Sequence, residues 1–293
     1  MKSIITLFIL CCMAVTASAQ QVFQFNMSGG GMRVSDNRQT PLQVLDSAYL
    51  KCSYLLSFVK DAAKPEEASS EDMLLLVGNK VSHFYSYRNF LADSLRAAAT
   101  AEQLMADLGR YRGGEFSYNI YKNYPEGKIT TTDAIANTIY KYEEQVQMSW
   151  EIEPDTITVL GYSCQKATAS FRGRDYTAWF TTDIPVNNGP WKFSGLPGLI
   201  LKVADAQNHY LFECSGIELP ETKIPVHIKK ENYANVSRAD FDKVYNRYKK
   251  DPVGFVTGQM AASGVKVIIK NEDGTARKAS DVPEMPYNPI ERQ

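Results

Sequence analysis

Three histidines, His83, His209 and His227, and a cysteine in the string Gly-Tyr-Ser-Cys-Gln at 161–165 are the residues from which this chain could assemble metal or nucleophilic chemistry. A metal centre needs several such ligands to converge. The histidines lie far apart, each in or beside a predicted strand, and neither an H-x-H nor an H-E-x-x-H spacing occurs. The Gly161 string begins like a nucleophile elbow. Gln165 occupies the position that needs glycine, and no helix follows it. Cys164 paired with His209 or His227 would imitate a Cys–His couple, but a cysteine among strand residues is expected to be a buried, inert thiol. Adjacent carboxylates at Glu66-Glu67 and Glu143-Glu144 point to opposite faces of a strand, and Glu151 with Glu153 reads as solvated charge. These patterns predict no catalytic residue, no metal site and no cofactor.

The aromatic residues are more suggestive. Seventeen Tyr, thirteen Phe and three Trp make up 11% of the chain. Tyrosine with strand alternation suits a concave sheet that is apolar with polar tips, a lining for a hydrophobic, peptide or glycan ligand. The stretch "GPWKFSGLPGLILKVAD" at 189–205 packs glycines and prolines in front of an apolar strand. Leu196-Pro197-Gly198-Leu199 fits a type II turn, with Pro setting φ and Gly198 at positive φ. Gly195, Pro197 and Gly198 are the expected structural turn. Trp179, Trp191 and Phe193 are the candidate ligand or rim residues, the alternative being a chain corner with the aromatics of the motif in the core.

Residues 46–293 read as one antiparallel β-rich domain of the mainly β (α+β) class. We expect a strongly curved sheet or half-barrel, with two helices packed on it near 89–110 and 237–250. At 293 residues and 44% hydrophobic content the chain can bury a sizeable core, and its net charge of −1 gives no footing for nucleic acid. Lys2, the apolar run from Ile4 and Ala17-Ser18-Ala19 predict a signal peptide over 1–19, with export to the periplasm or outer membrane. Residues 20–45 are expected to form a flexible mature N-terminus. No later segment is apolar and long enough for a transmembrane helix. The mature chain keeps Cys52, Cys164 and Cys214, and Cys164 with Cys214 would pair if their strands are neighbours.

Three strings in order, "GYSCQKA" at 161–167, "RGRDYTAWFT" at 172–181 and "GLPGLI" at 195–200, with "YNPIE" at 287–291, resemble the GLPGLI family of exported Bacteroidota proteins. The resemblance implies an envelope location and a β-rich fold. It brings no activity and no catalytic residues. The function expected is therefore a non-catalytic binding or accessory role in the envelope. The alternatives are a hydrolase of unrecognised type and a structural partner of an outer-membrane complex. An aromatic-lined concavity would favour binding, converging perturbed polar groups an enzyme, and an exposed apolar patch a partner surface.

Overall fold

The structure is a computed structural model that describes residues 23–26, 40–107, 109–110, 112–262, 264, 266–269 and 284–292. The leader at 1–19 lies outside the described residues, as does most of 20–45. The chain forms two compact units: Arg38–Phe241 with Pro286–Gln293, and Met1–Asn37 with Asp242–Met285. In the second, smaller unit β1 (Phe23–Asn26) pairs antiparallel with β15 (Lys266–Ile269), and α4 (Pro252–Ala262) begins on a proline, whose missing N–H costs nothing at a helix start.

The larger unit is an open sheet of 13 strands. Its chain order runs β2 (Leu42–Val59), β3 (Ala68–Gly78), β4 (Ser82–Ser86), β5 (Asn119–Lys122), β6 (Ile129–Ile135) and β7 (Thr138–Glu144). It continues with β8 (Glu151–Val159), β9 (Tyr162–Phe171), β10 (Arg174–Thr181), β11 (Leu199–Asp205), β12 (Tyr210–Glu218), β13 (Ile224–Lys229) and β14 (Ala234–Asn235). In space the order is β14-β7-β6-β5-β4-β3-β2-β12-β11-β10-β9-β8, with β13 added to β2. The pairs are antiparallel except the short β14–β7 contact. β2 is the spine. From Ala48 to Phe58 every second side chain is buried, and β3 pairs along one edge while β12 and then β13 share the other. It starts at Leu42, inside the segment expected to be flexible.

Both sheet edges are protected. β14 has only two residues. On β8 the pairing with β9 is broken between Ile152 and Thr156, where Glu153, Pro154 and Asp155 offer charge and a missing N–H to any incoming strand.

Among the described residues the two expected helices become four. The segment from 89 to 110 divides into α1 (Tyr87–Ala98) and α2 (Ala101–Ala106). Ala99 ends α1 and Thr100 caps α2: the Thr100 hydroxyl accepts from Gln103 N at 3.2 Å, and the Gln103 side chain accepts from Thr100 N at 2.9 Å. This capping box is local chemistry that Ala-rich composition conceals. α3 (Arg238–Lys250) starts as expected, with Ser237 Oγ accepting from Asp240 N.

A second apolar cluster lies under β13, built from Ala48, Leu76, Val81, Tyr121, Val226 and Ile228. His83 is buried beside it, stacked 4.3 Å from both Tyr85 and Tyr121 and hydrogen-bonded to Asn119 Oδ1 at 3.0 Å. Burial lowers its pKa to about 3, the Asn119 contact opposing this only partly. The unfolded chain therefore takes up a proton near pH 6.5 that the folded chain refuses. Stability from this site is full above that pH and is lost as pH falls toward about 3, by at most about 1.4 kcal/mol per unit. His83→Phe, which keeps a ring in the stack, should flatten the fall in stability between pH 7 and pH 4. Urea melts across that range check this, and an unchanged slope would refute it.

Candidate functional site

The loop of residues 182–198 follows β10 and leads into β11, and its Trp191, Phe193 and Leu196 belong to the main apolar core. Trp191 is 2% exposed and Phe193 0%. Phe193 packs on Tyr176, Trp191 and Phe212 with ring centroids 4.9, 5.0 and 5.9 Å away. The rim assignment of these two residues is thereby corrected: they are core, because the loop that carries them packs its rings against Tyr176 and Phe212 of the sheet. Trp179 is half-buried on β10, between Lys166 of β9 and Lys202 of β11 across the strands.

The turn geometry also differs from expectation. Gly198 is not among the residues at positive φ; Gly195 is, at 101°, and Trp191 itself has φ 47°. Phe193 N donates to Pro190 O at 3.0 Å, so the tight turn centres on Trp191-Lys192 instead of Pro197-Gly198. Gly198 is needed for close approach. A Cβ there would sit on Thr181 O and 2.6 Å from the Thr181 carbonyl carbon. At Gly195 a Cβ would meet nothing nearer than the Trp150 ring at 3.4 Å.

Charged groups hold this loop and the C-terminal segment in place. Lys122 of β5 is buried, and its ammonium donates to Asn188 Oδ1, Gly189 O and Phe193 O at 2.8, 2.6 and 2.8 Å. Burial drives its pKa well down, while three acceptors match the three donors of an ammonium. Lys192 Nζ lies 2.5 Å from Glu144 and 2.6 Å from Glu291. Arg172 reaches the same two carboxylates at 2.5 and 2.9 Å, and Arg238 also pairs with Glu291. Burial works to raise the Glu144 carboxyl, but Lys192 and Arg172 outweigh it and hold it below the usual range. Burial lowers Lys192, against Tyr142 and Glu144. Eight strands separate β7, which carries Glu144, from β9 in the sheet order. The sheet's far ends are thus joined by side chains.

Residues 286–292 lie across this end as a strap. Arg174, paired with Asp205 at 2.6 Å and with both side chains 1% exposed, grips Asn288 Oδ1 and Pro289 O. Burial raises the Tyr176 and Tyr210 phenols, which stay protonated and donate to Ile290 O and Asn288 O at 2.9 and 2.6 Å. The sequence reading passed over Lys192, Arg172, Arg174 and Glu291. Their signal was a charge embedded in an apolar or Pro-rich string, which only becomes meaningful when its partner is known.

The other chemical candidates go to structure. Cys164 and Cys214 do not pair; with Cys52 they are free and buried. Burial pushes the Cys214 thiol up to about 11 and raises Cys52 and Cys164 too. Among the described residues no three His, Cys, Asp or Glu side chains gather as metal ligands.

Among the described residues, four of the eleven exposed large apolar side chains lie together on α1. Tyr87, Phe90, Leu91 and Leu95 are 40, 45, 41 and 41% exposed, whereas Ala92 is the buried residue of this helix. At 100° per residue these four share one stripe, opposite Asn89 and Ala92. Phe90 contacts Tyr85 and Tyr87 at 6.0 and 6.4 Å, so the stripe continues into the Tyr85–His83–Tyr121 stack. Ser86 caps α1, accepting from Asn89 N at 3.1 Å, and is itself held by Glu71.

A family model described as a protein of unknown function (Porph_ging) matches residues 172–202. This agrees with a Bacteroidota-associated family. The stretch contains Arg172, Arg174, Lys192, Gly195 and Gly198, the residues that seat the loop. No curated protein matches the chain. Two solved structures of PNGF-II, in the P21 and C2 space groups, resemble it with TM-scores of 0.48 and 0.46 at 14% identity. They cover 68% and 66% of this chain, which spans 32% of theirs. At these scores the likeness carries nothing about activity.

Two outcomes follow from this packing. Gly198→Ala must move Thr181 backbone and should cost about 2 kcal/mol or more, while Gly195→Ala meets only an unfavourable φ and should cost about 1 kcal/mol. Urea melts of both variants test the order, and the reverse order would refute it. Cys52, Cys164 and Cys214 should be silent to a thiol reagent in the native protein and all react once it is unfolded. Fewer reactive thiols among these three after unfolding without reductant would restore the disulfide.

Proposed function

We propose that this is an exported envelope protein of the GLPGLI type, built on a half-barrel scaffold, that acts without catalysis as the structural partner of another protein. The observation that carries this reading is α1, a capped helix that turns its Tyr, Phe and Leu side chains to solvent and buries alanine. Apolar stripes on soluble domains ordinarily face inward, and an exposed one supports an interaction surface. The aromatic residues expected to line a ligand cavity pack against the protein's own loop, which weakens the small-ligand reading. Lys122, Lys192 and Arg174 are engaged in holding that loop and the strap, which weakens the hydrolase reading.

The partner this surface suits is a protein with an apolar groove. Tyr87, Phe90, Leu91 and Leu95 stand at i, i+3, i+4 and i+8, the anchor spacing of a helix laid into such a groove. They span about 12 Å of helix. The double variant Phe90→Ser/Leu91→Ser should leave stability within about 0.5 kcal/mol of wild type, since neither side chain is core. A photo-crosslinking residue at position 95 should give a discrete adduct with one envelope protein in the native host, lost in the double variant. A large drop in stability, or an adduct pattern indifferent to the substitutions, would refute the assignment.

A further inference from the structure

The strap enters the larger unit from outside it. The chain leaves that unit at Phe241, runs through the smaller one, and returns with Pro286–Gln293 alone. Much of what binds the strap recognises features that any extended peptide presents. Pro289 O accepts from Arg174 at 2.7 Å, Asn288 O from Tyr210 at 2.6 Å and Ile290 O from Tyr176 at 2.9 Å, while Arg292 N donates to Arg172 O at 2.8 Å. Two side chains add selectivity. Asn288 receives Arg174 on Oδ1 and donates from Nδ2 to Val59 O at 2.9 Å. Glu291 takes Lys192, Arg172 and Arg238.

The groups that grip the strap are also held by something else. Arg174 is fixed by Asp205 and lies 5.0 Å from the Tyr210 ring centroid. Asp205 Oδ1 accepts from Tyr210 N at 2.7 Å. Lys192 and Arg172 are fixed by Glu144. Tyr176 packs on Phe193. The groove is therefore organised by the sheet and its inner loop, independently of the strap, which lowers the entropic cost of binding a peptide there.

We propose that this groove is a peptide receptor selective for an extended Asn-Pro-apolar-Glu segment, and that the C-terminal strap of a second copy can occupy it in place of the chain's own. Tethering gives the chain's own strap an effective concentration in the millimolar range, so the wild-type protein keeps the groove closed to dilute peptide. Weakening the internal strap opens it. Exchange of an identical segment between copies is then a route to dimers that needs no new surface. This inference does not depend on the α1 assignment.

The test uses the full chain and a fluorescein-labelled synthetic peptide of residues 284–293, followed by fluorescence polarisation. Full-length Asn288→Ala should bind the peptide saturably and at least about ten-fold more tightly than wild type does. A peptide that itself carries alanine at position 288 should bind this variant at least about ten-fold more weakly. Should Asn288→Ala not fold, by circular dichroism, full-length Glu291→Gln takes its place with the same expectation. Should neither fold, addition of the peptide must restore the native spectrum. The proposal is overturned if a folded variant binds no more peptide than wild type, if the altered peptide binds equally well, or if unfolded variants are not rescued.

Discussion

An open sheet of 13 strands needs its apolar face covered, and covering that face is the constraint on which the rest of this structure depends. The 182–198 loop does so with Trp191, Phe193 and Leu196. A loop inside a protein brings backbone carbonyls that must be bonded. Lys122 meets this need at Gly189 O and Phe193 O, and Trp150 Nε1 donates to Ser194 O at 2.8 Å. Tyr54 on the spine strand serves Ile200 O in the same way. The buried charges of this fold follow from putting backbone where side chains usually go.

The same logic explains why the ion pairs cluster at one end. Glu144 and Glu291 come from strands and strap that share no hydrogen-bonded ladder, and Lys192 and Arg172 bind both. Buried pairs of this kind contribute little net energy compared with apolar packing, but removal of one partner leaves a charge stranded at a cost of roughly 3–5 kcal/mol. They therefore act mainly as selection of one arrangement: Glu144 sets Lys192 and Arg172 in position, and the strap's Glu291 is bound by the same pair.

Sequence alone determined the parts that depend on neighbours in the chain. The β-rich class and the helix near 237–250, with Ser237 capping its start, follow from short-range patterns, whereas the alternating burial of Ala48–Phe58 shows only in the folded sheet. The strings at 172–181 and 195–200 stood out in the sequence, and the family model of unknown function matches 172–202. Tertiary structure decided what each special residue is for. Gly198 was legible as a required glycine, but the reason, Thr181 backbone against its α-carbon, comes from β10 lying beside the start of β11. Trp191 and Phe193 carry the same composition whether they face a ligand or a core, and only the packing of their loop against the sheet placed them inside. Cys164 and Cys214 would pair only if their strands were neighbours, and β10 and β11 lie between β9 and β12. Arg174, Lys192 and Glu291 are ordinary charges in one dimension, because an ion pair between residues 99 positions apart leaves no periodic trace.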